Sequence, residues 1–279
     1  MRHPYAETPA KRPLRVLSLG AGVQSTTLLR MTIAGELEPA DHAIFADTGW
    51  EPPAVYRHLE QLKKECENAG LPLHIVSKGN IRNDALDPDQ RFASMPLHLL
   101  KANGDNAISR RQCTSEYKIA PLLAKQRELA GLKPRQRCNE HRITTIIGIS
   151  FDELQRMKPP AFPWIVNEYP LVDRRITRHD CLTWNDQHGY ERPPRSSCIG
   201  CPFHSNAEWR AIRDDPEAWA DAVDFDHKLR TGRLAHLLAP SKAYLHPERR
   251  PLDEVDIRSE EERGQLNMFD MECEGMCGI

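Results

Sequence analysis

The chain has 279 residues, with 38 Lys plus Arg against 40 Asp plus Glu, for a formal net charge of −2. This length supports one large α/β domain or two small ones with a sizeable core, and the near-neutral charge argues against a surface that coats polyanions while leaving room for a local basic groove. No apolar run approaches the roughly 20 residues that cross a bilayer, and Met1-Arg2-His3-Pro4 begins no hydrophobic signal core, so the reading is a cytoplasmic chain without a membrane partner.

Residues 1–11 are polar and Pro-containing and read as a flexible N-terminus. Leu14 to Leu19 reads as a short buried strand. Gly20-Ala21-Gly22 follows, and a helix is expected from Ser25 to Ala34. His42 to Ala46 is a second strand, ending at Asp47-Thr48-Gly49. Pro53 to Ala69 is a second helix, with Pro52-Pro53 suited to its first turn. Leu73 to Ser77 is a third strand. This alternation is the signature of a parallel sheet with crossover helices. Residues 78–112 are polar and rich in Asn and Asp, and read as a loop over the C-terminal edge of the sheet. Lys118 to Gly131 reads as a helix. Arg142 to Ser150 is the best central strand, with five β-branched residues in succession from Ile143. Short helices are expected over Ser150 to Lys158 and Thr177 to His188. Glu191 to Ser205 is rich in Pro and Cys without periodicity, and Asn206 to Leu229 reads as helical. The remainder is charged and ends in a Cys-containing tail.

The segment from Ser18 to Thr26 joins the first strand to the first helix. Its small residues let backbone approach a ligand, and the helix N-terminus behind it suits a phosphate or sulfate. It lacks the Gly-Lys-Ser/Thr ending of a Walker loop and the third glycine of a dinucleotide fingerprint. A plain turn is the competing reading. Asp47-Thr48-Gly49-Trp50-Glu51 lies at the C-terminal end of the second strand, where open α/β sheets take ligands.

From Asp47 to Leu62 the chain reads DTGWEPPAVYRHLEQL. Arg111-Gln112-Cys113 leads into Lys118-Ile119-Ala120-Pro121-Leu122, and Gly148 to Glu153 closes the central strand. Tyr169-Pro170-Leu171, Trp184 and Gly189-Tyr190 precede Ser197-Cys198-Ile199-Gly200-Cys201-Pro202. In this order, over roughly residues 14 to 205, the chain resembles the phosphoadenosine phosphosulfate (PAPS) reductase family of the PP-loop adenine nucleotide α-hydrolases, as an iron–sulfur-type member. The resemblance implies an α/β fold, a PP-loop three-layer α/β/α sandwich with a mainly parallel sheet of about five strands. It implies a PP-loop domain over residues 12–235 that includes a Cys-rich region at 170–205, with a C-terminal extension over 236–279. It places an adenine nucleotide, ATP or PAPS/APS, with Mg as an accompanying ion, against Ser18, Gly20, Gly22, Gln24, Ser25, Asp47 and Arg111. Gln24 stands where the family's loop carries Asp, and Gln cannot supply that charge to a metal on pyrophosphate. Where cluster-bearing reductases have tandem cysteines, this chain has Cys113-Thr114.

Eight cysteines are too sparse for a disulfide scaffold at this length. Thiolates favour iron–sulfur centres or zinc. Cys113, Cys198 and Cys201 match family cluster positions, and Cys181 is the nearest fourth donor. The reading is a [4Fe-4S] cluster on Cys113, Cys181, Cys198 and Cys201; a structural zinc on the same residues and a redox dithiol at Cys198 and Cys201 are the alternatives. Cys66 reads as a core residue, Cys138 has no assigned role, and His204 reads as a loop histidine or a ligand.

The last residues read Met271-Glu272-Cys273-Glu274-Gly275-Met276-Cys277-Gly278-Ile279. The ending resembles the Glu-Cys-Gly-aliphatic-His tail of sulfonucleotide reductases, without its Glu or its His. Cys277 and Cys273 are the candidate catalytic thiols, as nucleophile or persulfide carrier. Gln265 to Phe269 resembles a sliding-clamp-binding pentapeptide, with an apolar docking segment as the other reading. Among the basic clusters, Arg111 and Arg174/Arg175 are the expected phosphate or sulfate contacts. Trp184 and Trp209 read as core aromatics before base-stacking ones.

The leading expectation is an enzyme that reduces a sulfonucleotide through a tail cysteine, with a dithiol reductant. The alternative is ATP-dependent sulfur transfer to a nucleic acid, tRNA or DNA, with a persulfide donor and an iron–sulfur cluster. A third reading is a non-catalytic nucleotide- or cluster-binding sensor.

Overall fold

The computed structural model describes residues 12–87, 89, 95–259, 262 and 263. In chain order the elements are β1 Leu14–Leu19, α1 Val23–Ile33, β2 His42–Asp47, α2 Pro53–Asn68, β3 Leu73–Ser77, α3 Ile81–Leu86, β4 His98–Leu100 and β5 Asn106–Ile108. They continue with α4 Ala120–Leu129, β6 Ile143–Ile147, β7 Ile165–Glu168, α5 Pro170–Asp173, α6 Arg178–Gln187, α7 Asn206–Arg213, α8 Pro216–Lys228, α9 Gly232–Leu238 and β8 Lys242–Tyr244. A π-helical turn, Thr114–Ile119, runs into α4, and a 3-10 turn, Phe151–Arg156, follows β6. The described residues divide into two compact units. The first takes those of Met1–Phe45, Gln61–Ile75 and Leu122–Pro193; the second takes those of Ala46–Glu60, Val76–Pro121 and Pro194–Ile279.

The chain is α/β, with a five-stranded, mainly parallel sheet in the order β3-β2-β1-β6-β7. β1 runs parallel to β2 on one side and to β6 on the other, with Val16 opposite His42 and Thr145. β6 runs parallel to β7. Strands buried on both faces read as continuous apolar runs, and Val16, Leu17, Ala43, Ile44 and Ile143 are fully buried. The sheet grows outward from β1 in one direction and then, from β6, in the other. That reversal makes the gap between β1 and β6 the topological switch point.

In the first unit, α1 is buried on nearly every side although it carries Thr26, Thr27, Arg30 and Thr32. The helix survives because each of these groups is satisfied. Thr27 donates to the Val23 carbonyl at 2.9 Å and Thr32 to that of Leu28 at 2.7 Å. Arg30 donates to Glu65 at 2.9 and 3.0 Å and to Asn185 Oδ1 at 2.6 Å. Buried polar groups are tolerated on this condition.

In the second unit, β5-β4-β8 form a small antiparallel sheet, with Leu99 opposite both Ala107 and Ala243. Its core gathers Trp50, Leu97, Trp209, Phe225, Leu245 and Leu252. Asp226 of α8, with no exposed surface, accepts from the backbone of Leu245 at 2.8 Å and of Leu252 at 3.0 Å, and from Arg230 at 2.6 Å.

Several expectations are corrected. The loop expected over 78–112 contains α3, β4 and β5. Asn80 caps α3 by accepting from the Asn83 amide at 2.9 Å, and β4 finds its partner β8 far along the chain, beyond the reach of local pattern. The single helix expected from Asn206 to Leu229 is two. Pro216 cannot continue a helix, and Asp215 starts α8 by accepting from Ala218. β7, four residues at the sheet edge, has too short an alternation to be read from sequence. Among the described residues, no helix is long and apolar enough to cross a membrane.

Candidate functional site

The first unit brings two segments together at the switch point. One is the turn after β1. Ala21 there adopts φ of +54°, a left-handed conformation that costs a residue with a Cβ about 1–3 kcal/mol and recurs at ligand clamps. Gly22 is extended at the N-cap of α1 and makes no side-chain cap, and the first turn of α1 carries no acidic residue. Ser25 Oγ accepts from the Gly20 amide at 3.1 Å, which folds the turn back on itself. An uncapped helix start of this kind carries a partial positive charge and free donors.

The other segment is Gly148 to Glu153, at the end of β6. A Cβ at Gly148 would stand 2.8 Å from Ser25 Cα and 2.9 Å from Ser25 N, so only glycine admits this approach. Gln24 then reaches across, donating to Glu153 Oε2 at 3.1 Å and to Ser150 Oγ at 3.4 Å. Arg178, at the start of α6, donates to Gln24 Oε1 at 3.2 Å, and its backbone amide donates to Asp152 at 3.0 Å. A guanidinium and a carboxylate thus flank the Gln24 side chain. Sequence reasoning named the Gly148 to Glu153 segment but not Arg178 as the arginine at the loop. Arg174 instead donates to the Glu36 carbonyl at 2.7 Å.

The second unit holds the other chemistry. Cys198 and Cys201 share a tight turn closed by Cys201 N donating to Cys198 O at 3.0 Å. His204 donates from Nε2 to the same carbonyl at 2.9 Å, and its ring meets Trp209 edge-on, so it orders the turn. Ile199 N donates to Trp50 O at 2.9 Å. Gly200 lies under the Trp50 ring, where a Cβ would come within 2.1 Å of the indole. Thr48 Oγ1 is 3.2 Å from Cys198 Sγ and also donates to Glu51 Oε1 at 3.1 Å. Lys118 pairs with that oxygen at 3.2 Å, while Glu51 Oε2 is buried with no hydrogen-bond partner among the described residues. Burial, reinforced by the Glu51 carboxylate, pushes the Cys198 thiol well above its ordinary range. Thr48, Glu51 and Lys118 were not singled out as site residues from sequence; their grouping depends on the fold.

No protein-family model matches the chain, and no curated protein matches it. Among solved structures it is similar to the U34-tRNA thiolase NcsA from Methanococcus maripaludis with its [4Fe-4S] cluster. The identity is 15% and the TM-score 0.41, over 80% of this chain and 75% of that one.

The remaining expected residues are placed as follows. Asp47 Oδ1 accepts from Gly49 N at 2.8 Å and from Tyr56 Oη at 3.0 Å, so its carboxylate braces its own turn. Arg111 donates to Thr114 Oγ1 at 3.0 and 3.2 Å and stacks on Phe203. Both belong to the second unit. Cys113 is half-buried in the second unit, at the start of the π-helical turn. Cys181 belongs to the first unit, fully buried on α6, and burial pushes its thiol up to about 12. Cys66 is a core residue, pushed by burial up to about 11. Trp209 is fully buried, and Trp184 stacks on His188 at 3.9 Å between centroids. Cys273, Cys277 and the Gln265 to Phe269 pentapeptide lie outside the described residues. Among the described residues, no three His, Cys, Asp or Glu side chains are grouped so as to hold a metal ion.

Burial of Cys66 and Cys181 gives a direct test. Iodoacetamide at pH 8 should leave both unlabelled in the native protein and label both after denaturation, as read by mass spectrometry. The sign of the linkage is fixed. Unfolded thiols ionise near the ordinary value of 9.0, before the folded ones, so stability falls as pH rises from there through about 11.

Proposed function

We propose that the chain is an enzyme that binds ATP at the turn after β1, activates an oxygen of a nucleic-acid base by adenylation with release of pyrophosphate, and replaces that oxygen with sulfur from a sulfide or persulfide donor, the oxygen leaving with AMP. The observation that carries the nucleotide half is the meeting of the uncapped α1 start with Gly148 to Glu153 and Arg178, at the switch point of the sheet. Phosphate is the ligand class that such a helix start and guanidinium favour. Glu153, 3.1 Å from Gln24, bears on the choice of reaction. Gln24 lacks the charge that would help hold magnesium on a pyrophosphate, and Glu153 supports the ATP reading by placing a carboxylate beside it.

Cys198 and Cys201 are the candidate ligands of a metal centre in the second unit. The soft donor set suits an iron–sulfur cluster or zinc. Completing such a centre requires donors beyond the turn, with Cys113 and the tail cysteines Cys273 and Cys277 as the candidates.

The test is product analysis under anaerobic conditions with a dithiol reductant and inorganic sulfide present, with ATP and PAPS supplied separately and bulk tRNA added or withheld. AMP and pyrophosphate from ATP, dependent on tRNA, are the expected products. Arg178→Ala should weaken ATP binding about tenfold or more, since hydrogen bonds to charged groups contribute about 1.5–3 kcal/mol. Sulfite and adenosine 3′,5′-bisphosphate from PAPS, lost in Cys277→Ser, would overturn the ATP reading in favour of sulfonucleotide reduction. Nucleotide binding without turnover of either would leave a sensor.

A further inference from the structure

His42 opens β2 and His74 is the second residue of the adjacent strand β3. His42 Nδ1 and His74 Nε2 are 3.2 Å apart, and the ring centroids are 5.1 Å apart with planes tilted by 51°. Both residues are half-buried and belong to the first unit. They lie at the opposite end of β2 from Asp47, away from the turn after β1. The proposed nucleotide chemistry makes no use of them.

We propose that this pair is a binding site for a divalent transition cation that prefers imidazole, of the zinc class. Two nitrogens bound to a tetrahedral zinc at about 2.0–2.1 Å stand about 3.3–3.4 Å from each other. The observed separation is already within a few tenths of an ångström of that span. The strands fix the two Cα positions, and rotation of the rings about their side-chain bonds aims both lone pairs at one point. In the empty pair, one ring donates N–H to the other. Metal binding requires both facing nitrogens to be unprotonated. Each neutral ring meets this by carrying its proton on the far nitrogen, His42 Nε2 and His74 Nδ1, so no net proton is released. Burial and the Lys125 cation hold both rings neutral, while Asp41 acts on His42 in the opposite sense. Lys125 is paired with Glu128 at 2.6 Å, and Asp41 with Arg12 at 2.6 Å. At His74, burial, Lys125 and His42 act against the charged ring, and Glu128 offsets them in part. Imidazole ligands select zinc, copper and nickel over magnesium and calcium. Solvent completes the coordination sphere, which makes this a weaker site than a four-ligand one and a cross-brace between β2 and β3.

The experiment is a zinc titration of the full chain under reductant, followed by long-range proton–nitrogen spectra of the histidine rings. These spectra separate imidazole binding from zinc taken up by thiols. His42 Nδ1 and His74 Nε2 are expected to move together to metal-bound positions, with both ring protons on the far nitrogens. In His42→Gln, zinc should act on His74 at least tenfold more weakly. Magnesium should leave both rings unchanged. Persistence of the N–H···N signature through excess zinc in the unaltered chain would overturn the proposal. So would an undiminished response of His74 in His42→Gln. The first of these readings needs no variant, so it stands whether or not the substitution folds.

Discussion

Gly148→Ala is expected to reduce ATP affinity at least tenfold and to destabilise the chain by about 1–3 kcal/mol, the usual range for overpacking a close contact. The atoms that a new Cβ would meet are Ser25 Cα at 2.8 Å, Ser25 N at 2.9 Å and Gln24 C at 3.1 Å. All three are backbone, so no rotamer change relieves the clash. The start of α1 has to move away from the end of β6. Such a shift pulls Gln24 from Ser150, Glu153 and Arg178 and turns the first amides of α1 away from their common direction. Calorimetric titration with ATP and a denaturant melt read the two effects separately. Native-like ATP affinity in a folded Gly148→Ala would place the nucleotide elsewhere.

Asp226→Ala is expected to destabilise the chain by about 3–5 kcal/mol, the range for removing one partner from a buried ion pair. The carboxylate has no exposed surface and serves three donors: Leu245 N, Leu252 N and Arg230. Truncation leaves two buried amides and a guanidinium to find new partners. Asp226→Asn keeps the shape but turns one acceptor into a donor, so it should recover only part of the loss. Urea midpoints at constant m-value give the comparison. A loss below 1 kcal/mol in the alanine variant would mean that water takes over the role of the carboxylate.

Much of the first unit was legible because its signals are local. The expected bounds of Leu14 to Leu19 and Leu73 to Ser77 match the strands to the residue, since short apolar runs bounded by polar or glycine residues mark strands, whether largely buried as in β1 or at the sheet edge as in β3. Ile143 to Ile147 announced itself through β-branching. The second unit was less legible. β4, β5 and β8 are three residues each, and they exist because they pair with one another rather than because of their own pattern. The site divides the same way. The turn after β1 and the Cys198 to Cys201 turn carry glycine and cysteine spacings that can be seen in one dimension. Arg178 and Glu51 do not. Arg178 sits in a basic cluster whose other members were the expected contacts, and only the start of α6 decides which arginine faces Gln24. Glu51 reads as an ordinary surface acid until Thr48 and Lys118 are found against it.

The order β3-β2-β1-β6-β7 has a consequence for vectorial synthesis. Ribosomes deliver β1, β2 and β3 together, but β1 then waits for β6, more than a hundred residues later in the chain. During that interval one side of β1 presents unpaired backbone donors and acceptors, a template for pairing with another nascent chain. Contacts of such long sequence separation also slow the closing of the sheet. Fragments ending before Ile143 should therefore accumulate in inclusion bodies, and fragments extending past Glu168 should gain solubility in one step rather than gradually.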